Sequence, residues 1–246
     1  MFISGKSFIT NSKGFSLVEL LVAGVIGLIL LGGVISVFLG SKTTYRMQEQ
    51  LAGVQTEGRF ALMFLERIVQ NAGWQDGVPQ SDDIVAIAGV DNSFSGTSFD
   101  EVSATMFNME NTVDCNGVAI TDNDVTNRFY VDVDGTLICE GSGGGRPQPI
   151  IENVESFQVL YGIDTDADGL VNRYLTANAV GDFTRVLAIK IAILVASEGN
   201  ATPESIEQDF DVLGDAFNAT DQRVRRLFQT TINVPNQSYP IIREVR

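Results

Sequence analysis

The longest unbroken pattern in the chain is an absence of charge: residues 20–41 contain no Lys, Arg, Asp or Glu. As a helix rising ~1.5 Å per residue they span roughly 33 Å, enough to cross a bilayer core. Lys6 and Lys13 precede the run and Lys42 and Arg46 follow it, so flanking charge alone leaves its orientation open. Apolar or small residues then recur at Met47, Leu51, Val54, Gly58, Ala61, Leu62, Leu65, Ile68, Val69 and Ala72. Steps of three and four residues predict one face of a continuing amphipathic helix. Arg46, Glu49, Glu57, Arg59, Glu66 and Arg67 supply its polar positions, and no proline interrupts residues 15–78. Gly24, Gly27, Gly32, Gly33 and Gly40 are either weak points or sites of close helix packing.

The pattern changes at Gly73-Trp74-Gln75-Asp76-Gly77-Val78-Pro79, which ends the helix. Residues 74–128 are rich in Asp, Asn, Ser, Thr and Gly, with apolar patches at Ile84–Ala88 and Thr105–Met109, and predict loops and short strands. Phe129–Val133 and Thr136–Cys139 flank Asp134-Gly135, the signature of a hairpin closed by a two-residue turn. Period-two alternation predicts strands at 154–161, 185–196 and 224–234. The aliphatic face Leu187, Ile189, Ile191, Ile193 and Val195 suits a central strand covered by the long helix. The acidic segment Glu198–Gln222 predicts a long loop with a helical turn. The fold class is α+β: a long N-terminal helix packed on a mainly antiparallel sheet.

Charge and composition narrow the function. With 31 acidic and 16 basic residues the net charge is −15, which disfavours broad contact with nucleic-acid backbones. A patch at Arg223, Arg225 and Arg226 keeps DNA capture as an alternative, against a solvated strand face. The absence of histidine removes the commonest general base and the usual zinc ligand. No nucleophile or phosphate-binding motif occurs, and Gly141-Ser142-Gly143-Gly144-Gly145 lacks the lysine of a phosphate loop and reads as a flexible surface loop. The chain reads as a non-enzyme with no required cofactor. A glycosidase-like carboxylate pair is the enzymatic alternative.

The start of the chain is more specific. Lys13-Gly14-Phe15-Ser16-Leu17-Val18-Glu19-Leu20 joins a basic, polar leader to the apolar run. An ordinary secretory signal is cut after its apolar region; here the candidate cut, Gly14–Phe15, lies before it. This segment resembles the prepilin leader and first helix of type IV pilins and their type II secretion relatives. The resemblance implies cleavage by prepilin peptidase, methylation of Phe15 and pairing of Glu19 with the Phe15 amine of a neighbouring subunit. A carboxylate at an apolar helix is a functional candidate by default; an interfacial Glu favoured by the helix N-terminus is the alternative. It also implies a lollipop architecture: leader 1–14, membrane and assembly half 15–41, amphipathic half 42–73 and head 74–246. Before assembly the leader is cytoplasmic, the helix crosses the inner membrane once and the head is periplasmic; afterwards the protein lies in the pilus at the cell surface. In an exported head, an even cysteine count reads as a Cys115–Cys139 disulfide, with two unpaired core thiols as the alternative.

The cysteine-bearing hairpin, Tyr161-Gly162-Ile163-Asp164, the following acidic turn and Arg226–Ile232 resemble the PilW family of minor pilins. That likeness implies a minor subunit that helps initiate assembly at the pilus tip, with other minor pilins, the major pilin and a tip adhesin as partners. A GspJ-like minor pseudopilin of type II secretion is the alternative. The acidic turn itself, Asp164-Thr165-Asp166-Ala167-Asp168-Gly169, matches the first half of a calcium loop, with the Leu170 carbonyl as the next ligand. Leu175 stands where an EF-hand has its bidentate Glu, so this is not an EF-hand; Asn172 or Asp182 would have to complete a shell. The alternative is a solvated turn without calcium.

Overall fold

The computed structural model describes residues 14–75, 84–91, 99–109, 111–121 and 123–237. The leader expected at 1–14 therefore lies outside these residues except for Gly14. The chain divides into two units, one ending at Tyr45 and one beginning at Arg46. Helix α1 runs Leu17–Gln70. In the first unit it is exposed along its whole length. In the second it buries Val54, Gly58, Ala61, Leu65 and Val69, the stripe expected from the spacing. The helix tightens as Ala72 N–H reaches back to the Val69 carbonyl, and Gly73, at φ +80°, turns the chain away.

The strands follow in chain order: β1 (Ile87–Val90), β2 (Glu101–Met109), β3 (Thr112–Val113), β4 (Ala119–Ile120), β5 (Asn123–Val131), β6 (Leu137–Gly141), β7 (Gln148–Ile151), β8 (Val154–Ile163), β9 (Arg173–Leu175), β10 (Val186–Ala196), β11 (Ile206–Val212), β12 (Asp215–Asp221) and β13 (Arg225–Asn233). One sheet has the order β1-β2-β5-β6-β7 and a second β13-β10-β8-β9, and all the strand pairs are antiparallel. Central β10 aligns Ile189, Ile191 and Ile193 with Tyr161, Val159 and Phe157 of β8, and Ile193 and Ile189 with Phe228 and Ile232 of β13. These residues share one core with Leu65 and Val69 of α1 and with Val102, Phe129 and Leu137 of the first sheet. Each large side chain fully buried there contributes about 1.5–3 kcal/mol before the entropy cost. At Gly58 a Cβ would overlap the Phe228 ring, so the missing side chain is what lets α1 approach β13.

Three expectations need correction. The acidic segment 198–222 is not a loop with a helical turn but the β11–β12 hairpin, closed by Leu213-Gly214 with both residues at positive φ. Phe210, Val212, Leu213 and Phe217 pack against Ala192 and Leu194, so β10 is covered on its second face as well. The β5–β6 turn is not a two-residue turn. Asp132 N–H bonds the Thr136 carbonyl around Val133–Gly135, with Gly135 at φ +77°. The Asp132 carboxylate holds this longer turn by accepting from Asp134 and Thr136 N–H. Finally, residues 101–109 and 123–131 form nine-residue strands rather than short ones. Their apolar residues are spread thinly among polar ones, and pairing with neighbouring strands sets their length.

Candidate processing and assembly site

Residues 14–16 are non-helical and α1 begins at Leu17, with Leu20 N–H donating to the Ser16 carbonyl. Gly14 has open space where a side chain would be, and Phe15 is 82% exposed. This is an accessible, non-helical peptide ahead of a helix. Glu19 lies in the helix's first turn, where free backbone N–H groups and the helix dipole favour a negative charge. From Phe15 to Leu39 the large apolar side chains are between 50% and 82% exposed. An apolar surface of this extent is unstable in water and requires lipid or neighbouring helices. α1 is long and apolar enough to cross a membrane.

In the second unit Cys115 and Cys139 are bonded, with Cα atoms 6.3 Å apart. Asn127 Oδ1 accepts from Cys115 N–H at 2.7 Å, and Asp114 accepts from Asn116, Val118 and Gly143 N–H. The glycine tract is thus tied to the disulfide loop rather than loose.

The acidic turn is built around Asp164. This buried carboxylate accepts from Asp166, Ala167 and Gly169 N–H at 2.7–3.1 Å. Burial alone would raise its pKa; the three backbone donors together hold it below the usual carboxylate range. Oxygen atoms of Asp164, Asp166 and Asp168 come within 4.8 Å of one another, so these residues could hold a cation. Leu170 N–H donates to Asp168. Asn172 and Asp182 are already engaged: Asn172 Oδ1 accepts from Thr165, and Asp182 caps the turn at Thr184.

The arginine patch is mostly internal. The Arg225 side chain is 2% exposed and lies between Glu155, at 2.5 Å, and Asp221, at 2.6 Å. Arg223 bonds Glu155 at 2.9 Å and Asn153 at 2.9 Å, leaving only Arg226 exposed. A buried, paired Arg225 and a half-buried, paired Arg223 are poorly placed to meet nucleic-acid phosphates. This ion cluster escaped sequence reading because Glu155 lies 70 residues from Arg225. Only its Asp221–Arg225 pair, four residues apart, is local.

Comparison with known proteins adds two family matches. Residues 9–35 match the prokaryotic N-terminal methylation motif, and residues 119–236 match type IV pilus-assembly protein W. Among solved structures, a type IV-like pilin from Thermus thermophilus is similar at 16% identity and a TM-score of 0.47, over 78% of this chain and 99% of that one. No curated protein matches. The methylation motif spans the exposed Gly14–Ser16 peptide and Glu19; the other match spans β4 through β13 and includes Cys139, the acidic turn and the ion cluster.

Proposed function

We propose that this chain, a type IV pilin resembling PilW, is a minor pilin that helps initiate pilus assembly at the tip. The observation that carries the reading is the pairing of an N-terminal methylation motif with a pilus-assembly match in the head. Prepilin peptidase cuts Gly14–Phe15 and methylates the new terminus. The apolar half of α1 holds the subunit in the inner membrane until it moves into the growing filament. Glu19 then neutralises the Phe15 amine of a neighbour in a low-dielectric setting, which fixes subunit register. The disulfide-closed head meets the other minor pilins, the major pilin and a tip adhesin. The residues act by binding, not by turnover.

The test is deletion of the gene, with piliation, twitching motility and exoprotein secretion scored together. Loss of pili and motility with secretion intact supports the reading. Loss of secretion with pili intact overturns it in favour of a pseudopilin. Mass analysis of the mature protein should find a methylated Phe15 terminus. A Met1 terminus in a peptidase-competent cell refutes the processing step.

A further inference from the structure

The loop joining β10 to β11 carries the pentapeptide Glu198-Gly199-Asn200-Ala201-Thr202. Asn-x-Ser/Thr is the acceptor pattern for transfer of an N-linked glycan, provided the middle residue is not proline. Ala201 fills that place. Glu198, two residues before the asparagine, completes the acidic five-residue form of the pattern that bacterial glycan transferases read. Asn-x-Ser/Thr occurs twice more, at Asn218-Ala219-Thr220 and Asn236-Gln237-Ser238, but Ala216 and Val234 stand at the acidic position.

The three asparagines also sit in different surroundings. Asn218 lies within β12, where pairing with β11 fixes the backbone. Asn236 Nδ2 donates to the Gln70 and Ala72 carbonyls. Glu198 and Asn200 are exposed and lie outside the strands. The Asn200 amide has two hydrogens, and one of them goes to Gln222 Oε1 at 2.5 Å. Thr202 Oγ1 lies 2.7 Å from the Glu204 carbonyl and 3.1 Å from that of Gln222. Ala201 and Thr202 N–H both donate to the same Gln222 carbonyl. In the finished fold, Gln222 is therefore the clamp on this loop. It follows Asn200 by 22 residues and is brought back to it by the β11–β12 hairpin.

We propose that Asn200 is the acceptor of an N-linked oligosaccharide, transferred from a polyprenyl-pyrophosphate-linked donor at the outer face of the inner membrane. Asn200 Nδ2 attacks the anomeric carbon of the first sugar. A C–N bond forms as the C–O bond to the pyrophosphate breaks; the lipid pyrophosphate leaves, and one amide proton passes to a base of the transferase. In a head exported behind its N-terminal helix, the acceptor loop emerges before Gln222, so transfer precedes the clamp. The amide hydrogen that remains still reaches Gln222. The glycan then stands beside Gln50 of α1, whose Oε1 accepts from Gly199 N–H at 3.4 Å. A bulky, hydrated group there keeps this loop facing solvent in any assembly. The proposal rests on the reading of the chain as an exported pilin-type subunit.

The experiment expresses the full chain in the deletion strain and purifies it from inner membranes and sheared pili. Its peptides are sequenced by electron-transfer mass spectrometry, which leaves sugars attached. The peptide containing Asn200 should carry the added mass of an oligosaccharide. Asn200→Gln and Thr202→Val should each abolish it, and Asn218→Gln should leave it in place. Glu198→Gln should lower occupancy about tenfold, the scale of one lost charge-assisted contact. The Cys115–Cys139 bond and protease resistance report that each variant is exported and folded. An oxidised, folded chain with an unmodified Asn200, a glycan on Asn218 instead, or an occupancy indifferent to Thr202→Val overturns this proposal alone. A reduced chain retained in the cytoplasm overturns both the proposal and the reading of export beneath it.

Discussion

Replacing Arg225 with Met removes the charge at the centre of the buried ion cluster while keeping most of the side-chain volume. In the wild type the guanidinium donates to Glu155 through Nε and Nη2 and to Asp221 through Nη1 and Nη2. Breaking a buried pair and stranding its partner costs about 3–5 kcal/mol. Here the loss is smaller, because Glu155 keeps Arg223 and the Asp221 side chain is 39% exposed to screening water. About 2–3 kcal/mol is expected. The pH dependence supplies a second readout. The side-chain bonds from Arg225 lead the interactions that lower the Asp221 carboxyl to about 2. A depressed carboxylate pKa contributes stability that is present above its unfolded value, near 4, and is lost as pH falls through the folded value. After discounting for exposure this amounts to no more than about 1 kcal/mol. Urea unfolding of the full chain in detergent, followed by near-ultraviolet circular dichroism between pH 2 and pH 7, measures both. The wild-type advantage should be largest near pH 7 and should shrink as pH drops from about 4 towards 2. A destabilisation below about 0.5 kcal/mol at pH 7, or an advantage that does not change with acid, would refute the assignment of a stabilising, Arg225-centred cluster.

Three further outcomes follow from the same geometry. Cys115→Ser with Cys139→Ser should cost about 3–4 kcal/mol, from the loop that the bridge closes in the unfolded chain, measured by urea unfolding against the oxidised wild type. Gly58→Leu should cost roughly 1–3 kcal/mol because its side chain collides with Phe228, whereas Gly58→Ala gains ~1 kcal/mol of helix propensity to offset its smaller overlap; equal stability of the leucine variant would show that α1 and β13 are not in close contact. Calcium bound at Asp164, Asp166 and Asp168 should raise the melting temperature of the full chain, and Asp166→Asn with Asp168→Asn should abolish the rise while leaving the turn around Asp164 intact; no shift in the wild type would sink calcium binding.

Much of the molecule was determined locally, and that part is readable from the sequence. The charge-free run, the three-and-four spacing after Met47 and the absence of proline specify α1, because helix hydrogen bonds and side-chain periodicity involve only near neighbours. The match of residues 9–35 to the N-terminal methylation motif, which contains Gly14, Phe15 and Glu19, is likewise legible, since it is a linear pattern. With only two cysteines, the bridge had a single intramolecular partner choice. The aliphatic alternation of β8, β10 and β13 marked the core sheet for the same reason. The β11–β12 hairpin was less visible: Phe210 and Val212 alternate with acids, but its turn places Leu213 at a positive φ that leucine rarely adopts. Other features were decided only by tertiary structure. Arg225 reads as a surface cation until Glu155 is brought to it from 70 residues away and the Phe217 ring of the hairpin lies over its guanidinium. The hollow lined by Phe60, Phe64, the Cys115–Cys139 disulfide and Ile150 exists only because α1 lies beside β7 and the disulfide loop, elements distant in sequence. Burial, charge pairing and concavity depend on which distant segments meet, and local residue patterns do not encode that meeting.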